Sequence, residues 1–411
     1  MIELEHSPLG GSAAHRFFNC VGSFLLQRQE IQEGTFENVS SEYAEKGTGA
    51  HELGAVCLAG DLEPYELLGE EFNGYLAGWP GGIELDAVQI YVNECRDIME
   101  RCDYDGVALV EKTFSRPDIH PLLKGTIDFG YVSQKHGYFL RDYKNGEGVG
   151  VYAQGNEQLL YYAFLLLLIS RANFGFDDKT PFSLGIVQPN HFGIFEAPEV
   201  WETTVGFVWK WGHEELLPRM RALTNTPEYH LREDDTSEDF VTGDHCQFCP
   251  VMLSCPKMQA AYAQYADASE DFVTMLTNGE LDDLYAQREN VRRFMTALEN
   301  TVRARMIATP GVIKSAKLVE KKVARVWKPG AQAALLEAFG EKAWQPREII
   351  SPAGAEKLSS RGKELALEYG YKPESAGLTI APLSDPRAEA KPRTNAMVFE
   401  GHAQEPEALG F

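Results

Sequence analysis

The sequence predicts an α/β fold, a sheet flanked by helices, followed by a mainly helical C-terminal region. Three observations carry this. Residues 124–133 and 137–144 are rich in Thr, Ile, Phe, Tyr, Val and Leu, and the Gln-Lys-His-Gly at their junction is turn-like, which predicts a β-hairpin. Residues 159–169 are nearly all apolar, as in a helix buried against a sheet. Residues 280–308 carry Arg, Glu, Leu and Met at helical spacing.

Taken in order, residues 12–28 have helical spacing, with Ser12 as the N-cap and Cys20 inside the helix. Ser41 starts a second helix that carries His51 and Glu52. Gly47 and Gly49 within it cost helix stability and hint at a close backbone approach; the competing reading is a helix that begins after Gly49. Residues 87–101 form an amphipathic helix, and 106–114 the first strand of the sheet. A helix from about Asn156 follows the hairpin, then a strand over 181–189 and a helix over 200–223 with Trp201, Trp209 and Trp211. Residues 224–245 read as a surface connection. Past the long helix come a β-segment, KLVEKKVARVW, short helices over 331–339 and 355–370, and a disordered tail beyond 383. The expected domains are 1–260, 261–383 and the tail 384–411.

With 411 residues, 44% hydrophobic and 24% charged, the composition is that of a soluble globular protein. No apolar run reaches the roughly 18 residues of a membrane helix, and the N-terminus lacks a basic-then-apolar leader, so the expected location is the cytoplasm with no membrane partner. Seven cysteines, clustered and odd in number, point to metal rather than a disulfide framework. The net charge of −23 argues against a general basic coat for nucleic acid. Its distribution is uneven: residues 288–328 hold eleven basic residues against Glu289, Glu299 and Glu320. That segment, with Arg292, Arg293, Lys321, Lys322 and Arg325, is the candidate DNA contact; the competing reading is a solvated helix face.

The hairpin carries the chemistry. With its loop centred near Lys135, antiparallel partners sum to about 270, which sets Asp128 opposite Asp142 with β-carbons roughly 5 Å apart. Alternation puts Lys144 on the face of Asp142 and turns the Tyr143 side chain away. Two carboxylates suit a hard cation such as Mg²⁺ or Mn²⁺, the Tyr143 carbonyl offers a further ligand, and the lysine would steady charge on a phosphate. Gln158 and Tyr162, four apart, share one helix face. The second constellation is Cys246-x2-Cys249-x5-Cys255, three thiols lacking a local fourth, for which Cys20 is the candidate. Zinc with His245 or Cys20 as fourth ligand is one reading. Cys57, Cys95 and Cys102 read as ordinary thiols.

The order Gly47-Thr48-Gly49-Ala50-His51, Gly125-Thr126-Ile127-Asp128, Asp142-Tyr143-Lys144 and Gln158-Leu159-Leu160-Tyr161-Tyr162 resembles the RecB-type branch of the PD-(D/E)xK nucleases. The resemblance implies a restriction-endonuclease-like core with a mixed central sheet. It implies metal ligation by His51, Asp128 and Asp142, a catalytic Lys144, and Gln158 and Tyr162 ordering the site or contacting DNA. Iron-sulfur members, among them AddB-type helicase-nucleases and CRISPR-associated exonucleases, place one cysteine before the nuclease motifs and three after. A structural 4Fe-4S cluster on Cys20, Cys246, Cys249 and Cys255 is therefore implied, with zinc the alternative. Nearly the whole chain is similar to a phage and prophage family with a RecB-like nuclease domain. The expected function is a Mg²⁺- or Mn²⁺-dependent DNA exonuclease that resects duplex ends in a bacterial host, with a single-strand annealing protein as partner and possible homo-oligomers. The alternatives are a non-catalytic iron-sulfur or zinc scaffold, and a nuclease subunit active only inside a helicase or CRISPR-type assembly.

Overall fold

In a computed structural model the first part of the chain forms a five-stranded mixed sheet with helices on both faces. The structure describes residues 7–37, 39–79, 81–146, 150–175, 177–190, 198–226, 238–266, 276–320, 326–327, 331–345, 348–349, 351–371, 378–382 and 387–390. The chain opens with a 3-10 turn, Gly11–Ala13, and helices α1 (Ala14–Asn19) and α2 (Val21–Glu33). Ser12 lies inside the turn, so it does not cap the helix as expected. Cys20 is extended (φ −143°, ψ 100°) and breaks the expected single helix in two. Helix α3 (Glu42–Gly60) starts where the sequence places it, with Ser41 Oγ accepting from the Ala44 amide at 3.2 Å. A small hairpin, β1 (Glu71–Phe72) with β2 (Tyr75–Leu76), leads to α4 (Leu85–Arg101).

The sheet follows: β3 (Gly106–Ser115), β4 (Lys124–Ser133), β5 (Gly137–Tyr143), β6 (Pro181–Val187) and β7 (Glu199–Thr204), in that order. Only β5 and β6 run parallel, and helix α5 (Glu157–Phe174) connects them, as a parallel pair requires a crossover. The β4–β5 register is the expected one, with Phe129 opposite Arg141 and Ser133 opposite Gly137. Ser133 Oγ closes the turn by accepting the Lys135 and His136 amides. Residues 199–204 form an edge strand rather than the start of the expected helix over 200–223; β-branched Val200, Thr203 and Thr204 pair with β6, and Thr204 then caps α6 (Val205–Trp211) through the Phe207 amide. A π-helical turn, Gly212–Leu216, joins α6 to α7 (Leu217–Asn225).

Each face of the sheet has its own core. On one, α5 is apolar on every side and packs Leu159, Leu165 and Leu166 with Ile127, Leu140 and Leu184, flanked by Phe17, Phe24 and Val208. On the other, α3 and α4 bring Leu53, Val88, Tyr91 and Ile98 against Phe129, Tyr131 and Tyr143. No helix among the described residues is long and apolar enough to cross a membrane.

The first compact unit runs to Asn300, beyond the boundary expected at 260. The reason is packing: Cys246, Met252 and Met258 bury against Phe294 and Ala297 of α10 (Arg288–Ala308), which follows α8 (Pro256–Ala266) and α9 (Asn278–Ala286). Gln287 interrupts the expected single long helix. In the second unit, Thr301–Phe411, a strand over Ala316–Glu320 pairs with Leu378–Pro382, and helices Ala331–Phe339, Pro352–Leu358 and Ser360–Tyr369 enclose Leu335, Ala355 and Leu365. The expected helix over 355–370 is thus two, divided at the capping Ser359. Residues 387–390 of the expected disordered tail lie on the first of these strands, the Ala390 amide donating to the Leu318 carbonyl at 2.7 Å; residues 391–411 lie outside the described residues.

Candidate metal centre and thiol cavity

His51 reaches the sheet because α3 tolerates glycine where another backbone crosses it. A β-carbon at Gly49 would sit 2.6 Å from the Phe72 carbonyl oxygen, so the β1–β2 hairpin fits against the helix only without a side chain there. Gly47 has open space, and the expected close approach holds for Gly49 alone. From α3, His51 Nδ1 lies 3.5 Å from Asp128 Oδ1 and 3.1 Å from Glu111 Oε1.

Asp128 sits at a kink. Val110 pairs with Phe129 and Lys112 with Ile127, leaving Glu111 and Asp128 opposite one another outside the ladder. Ile127 and Phe129 should share a face by alternation, yet they pack into opposite cores. Glu111 itself has φ 44°, the left-handed region that a non-glycine residue seldom adopts. The distortion gathers one ligand atom each of His51, Glu111 and Asp128 within 4.8 Å of one another. The Asp128 Oδ2 atom accepts the Tyr143 amide at 2.7 Å, so the Tyr143 backbone does reach the site, while its ring, on the face opposite Lys144, stacks on Tyr91 at 4.8 Å and lies 5.3 Å from the His51 ring.

Asp142, Lys144 and Gln158 close a second group. Gln158 Nε2 donates to Asp142 Oδ1 at 2.9 Å, Lys144 Nζ donates to Gln158 Oε1 at 3.2 Å, and the same ammonium lies 2.9 Å from Asp142 Oδ2 in an ion pair. Asn156 caps α5 through the Gln158 and Leu159 amides and so sets Gln158 in the first turn. Tyr162, one turn on, is buried, and its ring fills the space that β-carbons at Gly11 and Gly125 would occupy. The glycine of the Gly125-Thr126-Ile127-Asp128 run thus makes room for the tyrosine.

The electrostatics tie the two groups together. Burial raises the Asp128 carboxyl above the usual range, with Asp142 and Glu111 adding to the rise and His51 opposing it. Burial alone would lower His51, but Asp128 and Glu111 outweigh it and hold the imidazole up to about 9. Lys144 is raised although burial opposes this, because Asp142 and Asp128 face it. Burial raises the Tyr162 phenol, and the charges of Asp142 and Asp128 raise it further. Three carboxylates therefore meet two bases in one place, an arrangement that favours an added cation. Hard oxygen donors with one imidazole suit a divalent ion of the Mg²⁺ or Mn²⁺ kind. Glu111 is the site residue that the sequence reading missed. Extending the hairpin's register one strand back would have set it opposite Asp128.

Cys20, Cys246, Cys249 and Cys255 all line one small cavity, together with Phe240, Val251, Met252 and Met258. Cys20 enters from the break between α1 and α2, and the Gly22 amide ties α2 to the Asp239 carbonyl at 2.8 Å. The other three sit on consecutive turns, in which the Cys249 amide donates to the Cys246 carbonyl at 3.0 Å. All seven cysteines are free thiols, and Cys57, Cys95 and Cys102 are buried in or beside the α3–α4 core. Burial would raise Cys20, but hydrogen bonds from His245 and the backbone bring it below the ordinary thiol range. His245 is held up to about 10 by its hydrogen bonds to Cys20 and Cys246. Burial pushes Cys249 up to about 12, against the pull of Arg16. Four soft donors in an apolar-walled space, with His245 and the buried Arg16 beside them, fit a thiolate-ligated metal group.

Of the residues proposed to contact DNA, Arg292 is exposed and lies 3.5 Å from Glu289, whereas Arg293 donates to the Gly243 carbonyl at 2.8 Å and holds the thiol loop. Lys321, Lys322 and Arg325 lie outside the described residues. Comparison with known families matches residues 6–388 to the one described as Protein of unknown function (DUF2800).

Proposed function

The chain belongs to that family, and within it we propose that the protein is a metal-dependent DNA nuclease of the RecB-like, PD-(D/E)xK type. The observation that supports this most is the convergence of His51, Asp128, Asp142 and Lys144 from α3, β4 and the end of β5, with Gln158 bridging the last two. Bound beside Asp128 and Asp142, with the Tyr143 carbonyl as a further oxygen, a divalent cation would supply an activated water and neutralise phosphate charge. The protein's own part is to position. Asp142 and Gln158 hold the Lys144 ammonium in a fixed direction, where it would meet a non-bridging phosphate oxygen as charge builds there. The Tyr143 amide orients Asp128 by donating to one oxygen and leaving the other toward His51. Tyr162 packs the floor of the site. We read the reaction as exonucleolytic resection of duplex ends, in a phage or prophage recombination setting with a single-strand annealing protein as partner.

For the thiol cavity we propose a 4Fe-4S cluster with a structural role, joining α1 and α2 to the segment after β7. Tetrahedral zinc at about 2.3 Å per bond needs its sulfurs about 3.8 Å apart. Cys20, Cys246, Cys249 and Cys255 line one cavity together with His245, so zinc on these donors is the alternative occupant.

The test is purified protein with Mg²⁺ or Mn²⁺ on end-labelled linear, nicked and circular DNA. Degradation confined to linear DNA is expected. Asp142→Ala and Lys144→Ala should abolish it while leaving the fold intact by circular dichroism. Full activity in Asp142→Ala would sink the reading, and activity seen only with added helicase or annealing protein would make the chain a subunit of a larger machine.

A further inference from the structure

We propose that Glu111 is a protein ligand of the cation site together with His51 and Asp128, and that the left-handed backbone at Glu111 is the device that turns it there. This deepens the nuclease reading of the same site. The motif residues do not include Glu111, and its place in the middle of β3 would ordinarily send its side chain to follow the pleat.

Four observations meet on it. Glu111 Oε1 lies 3.1 Å from the same His51 nitrogen that faces Asp128. One ligand atom of each of the three residues falls within 4.8 Å of the others. Glu111 and Asp128 are the opposed pair at which the β3–β4 ladder opens, so neither carboxylate is committed to a straight strand. The donor set is mixed, one imidazole and two carboxylates. A purely structural ion pair at a surface has no need of a backbone conformation that costs energy. Beside it, the buried Asp142 pairs with Lys144 at 2.9 Å, so three carboxylates, Glu111, Asp128 and Asp142, face two bases, His51 and Lys144. An imidazole with two carboxylates suits Mn²⁺ better than Mg²⁺, which favours oxygen and water.

The experiment is Mn²⁺ binding to the full-length protein without DNA, followed by electron paramagnetic resonance and titration calorimetry, with Mg²⁺ as competitor. Glu111→Gln is expected to weaken Mn²⁺ about tenfold or more at unchanged circular dichroism. A second comparison isolates the backbone. Glu111→Gly and Glu111→Ala both remove the carboxylate and should lose Mn²⁺ equally, but glycine alone accepts φ 44° without cost. The glycine variant should therefore melt above the alanine variant by about 2–4 °C. Unchanged Mn²⁺ affinity in all three variants overturns the proposal, and so does an alanine variant that melts above the glycine one. The two readings fail separately. Glu111-dependent Mn²⁺ binding in a protein that cuts no DNA keeps this site and removes the nuclease, whereas DNA cleavage with Glu111-independent Mn²⁺ binding does the reverse.

Discussion

Gln158→Ala tests whether one amide orders the proposed catalytic pair, Asp142 and Lys144. Its Nε2 donates to Asp142 Oδ1 at 2.9 Å and its Oε1 accepts from Lys144 Nζ at 3.2 Å. Asp142 is 2% exposed, so water cannot replace the lost donor, and a hydrogen bond to a buried charge is worth about 1.5–3 kcal/mol. Lys144 reaches solvent, so its share is below about 1 kcal/mol. The sum, about 3 kcal/mol, should lower the melting temperature by about 6–12 °C. Freed from the amide, the ammonium can drift by about 1 Å, which costs about 100-fold in rate. Gln158→Glu sharpens the result, because it keeps an acceptor for Lys144 but sets a carboxylate against Asp142. Such a carboxyl would have its folded pKa raised, so its destabilisation is present at high pH and relieved as pH falls through that pKa; the variant should lose more stability at pH 8 than at pH 5. Melting by circular dichroism and initial rates on end-labelled duplex provide the readouts. A Gln158→Ala protein that melts within about 1 °C of wild type and cuts at the same rate would refute the reasoning.

Other outcomes follow from the same geometry. Gly49→Ala forces a methyl to 2.6 Å from the Phe72 carbonyl and should destabilise by about 1–3 kcal/mol, whereas Gly47→Ala, with open space, should stabilise by about 0.5–1 kcal/mol; paired thermal melts that show the same sign would contradict this. Because His51 is protonated up to about 9 and a metal takes neutral imidazole, Mn²⁺ affinity should rise about tenfold per pH unit below that value, and calorimetry showing a flat dissociation constant between pH 6 and 8 would remove His51 from the ligand set. On the cluster proposal the wild type is brown, absorbing near 400 nm, and Cys20→Ser should lose that absorbance together with iron; a colourless wild type with stoichiometric zinc would reject the cluster.

The legible parts of this protein share one property: their signals are local. Strand alternation and a turn at Lys135 set the β4–β5 register from Phe129–Arg141 to Ser133–Gly137. The Asn156 cap and four-residue spacing set Gln158 and Tyr162 on α5. Ser41 set the start of α3 and hence the turn that bears His51. Short-range backbone chemistry decides all of these, and a short window of residues contains it.

What only the tertiary structure decided are the places where distant segments override local preference. Residues 12–28 have continuous helical spacing, yet the chain breaks at Cys20 and sends its thiol to a cavity built by residues 240–258. Residues 200–204 read as helix and are strand, because the β6 edge offers hydrogen bonds that an isolated segment cannot weigh. Glu111 stood in plain view in a strand, but its role depends on a kink opposite Asp128 and a histidine from another helix. The physical reason is common to the three. A local pattern reports what a segment prefers alone, whereas a site or a strand edge is paid for by contacts that exist only once the rest of the chain has closed around it.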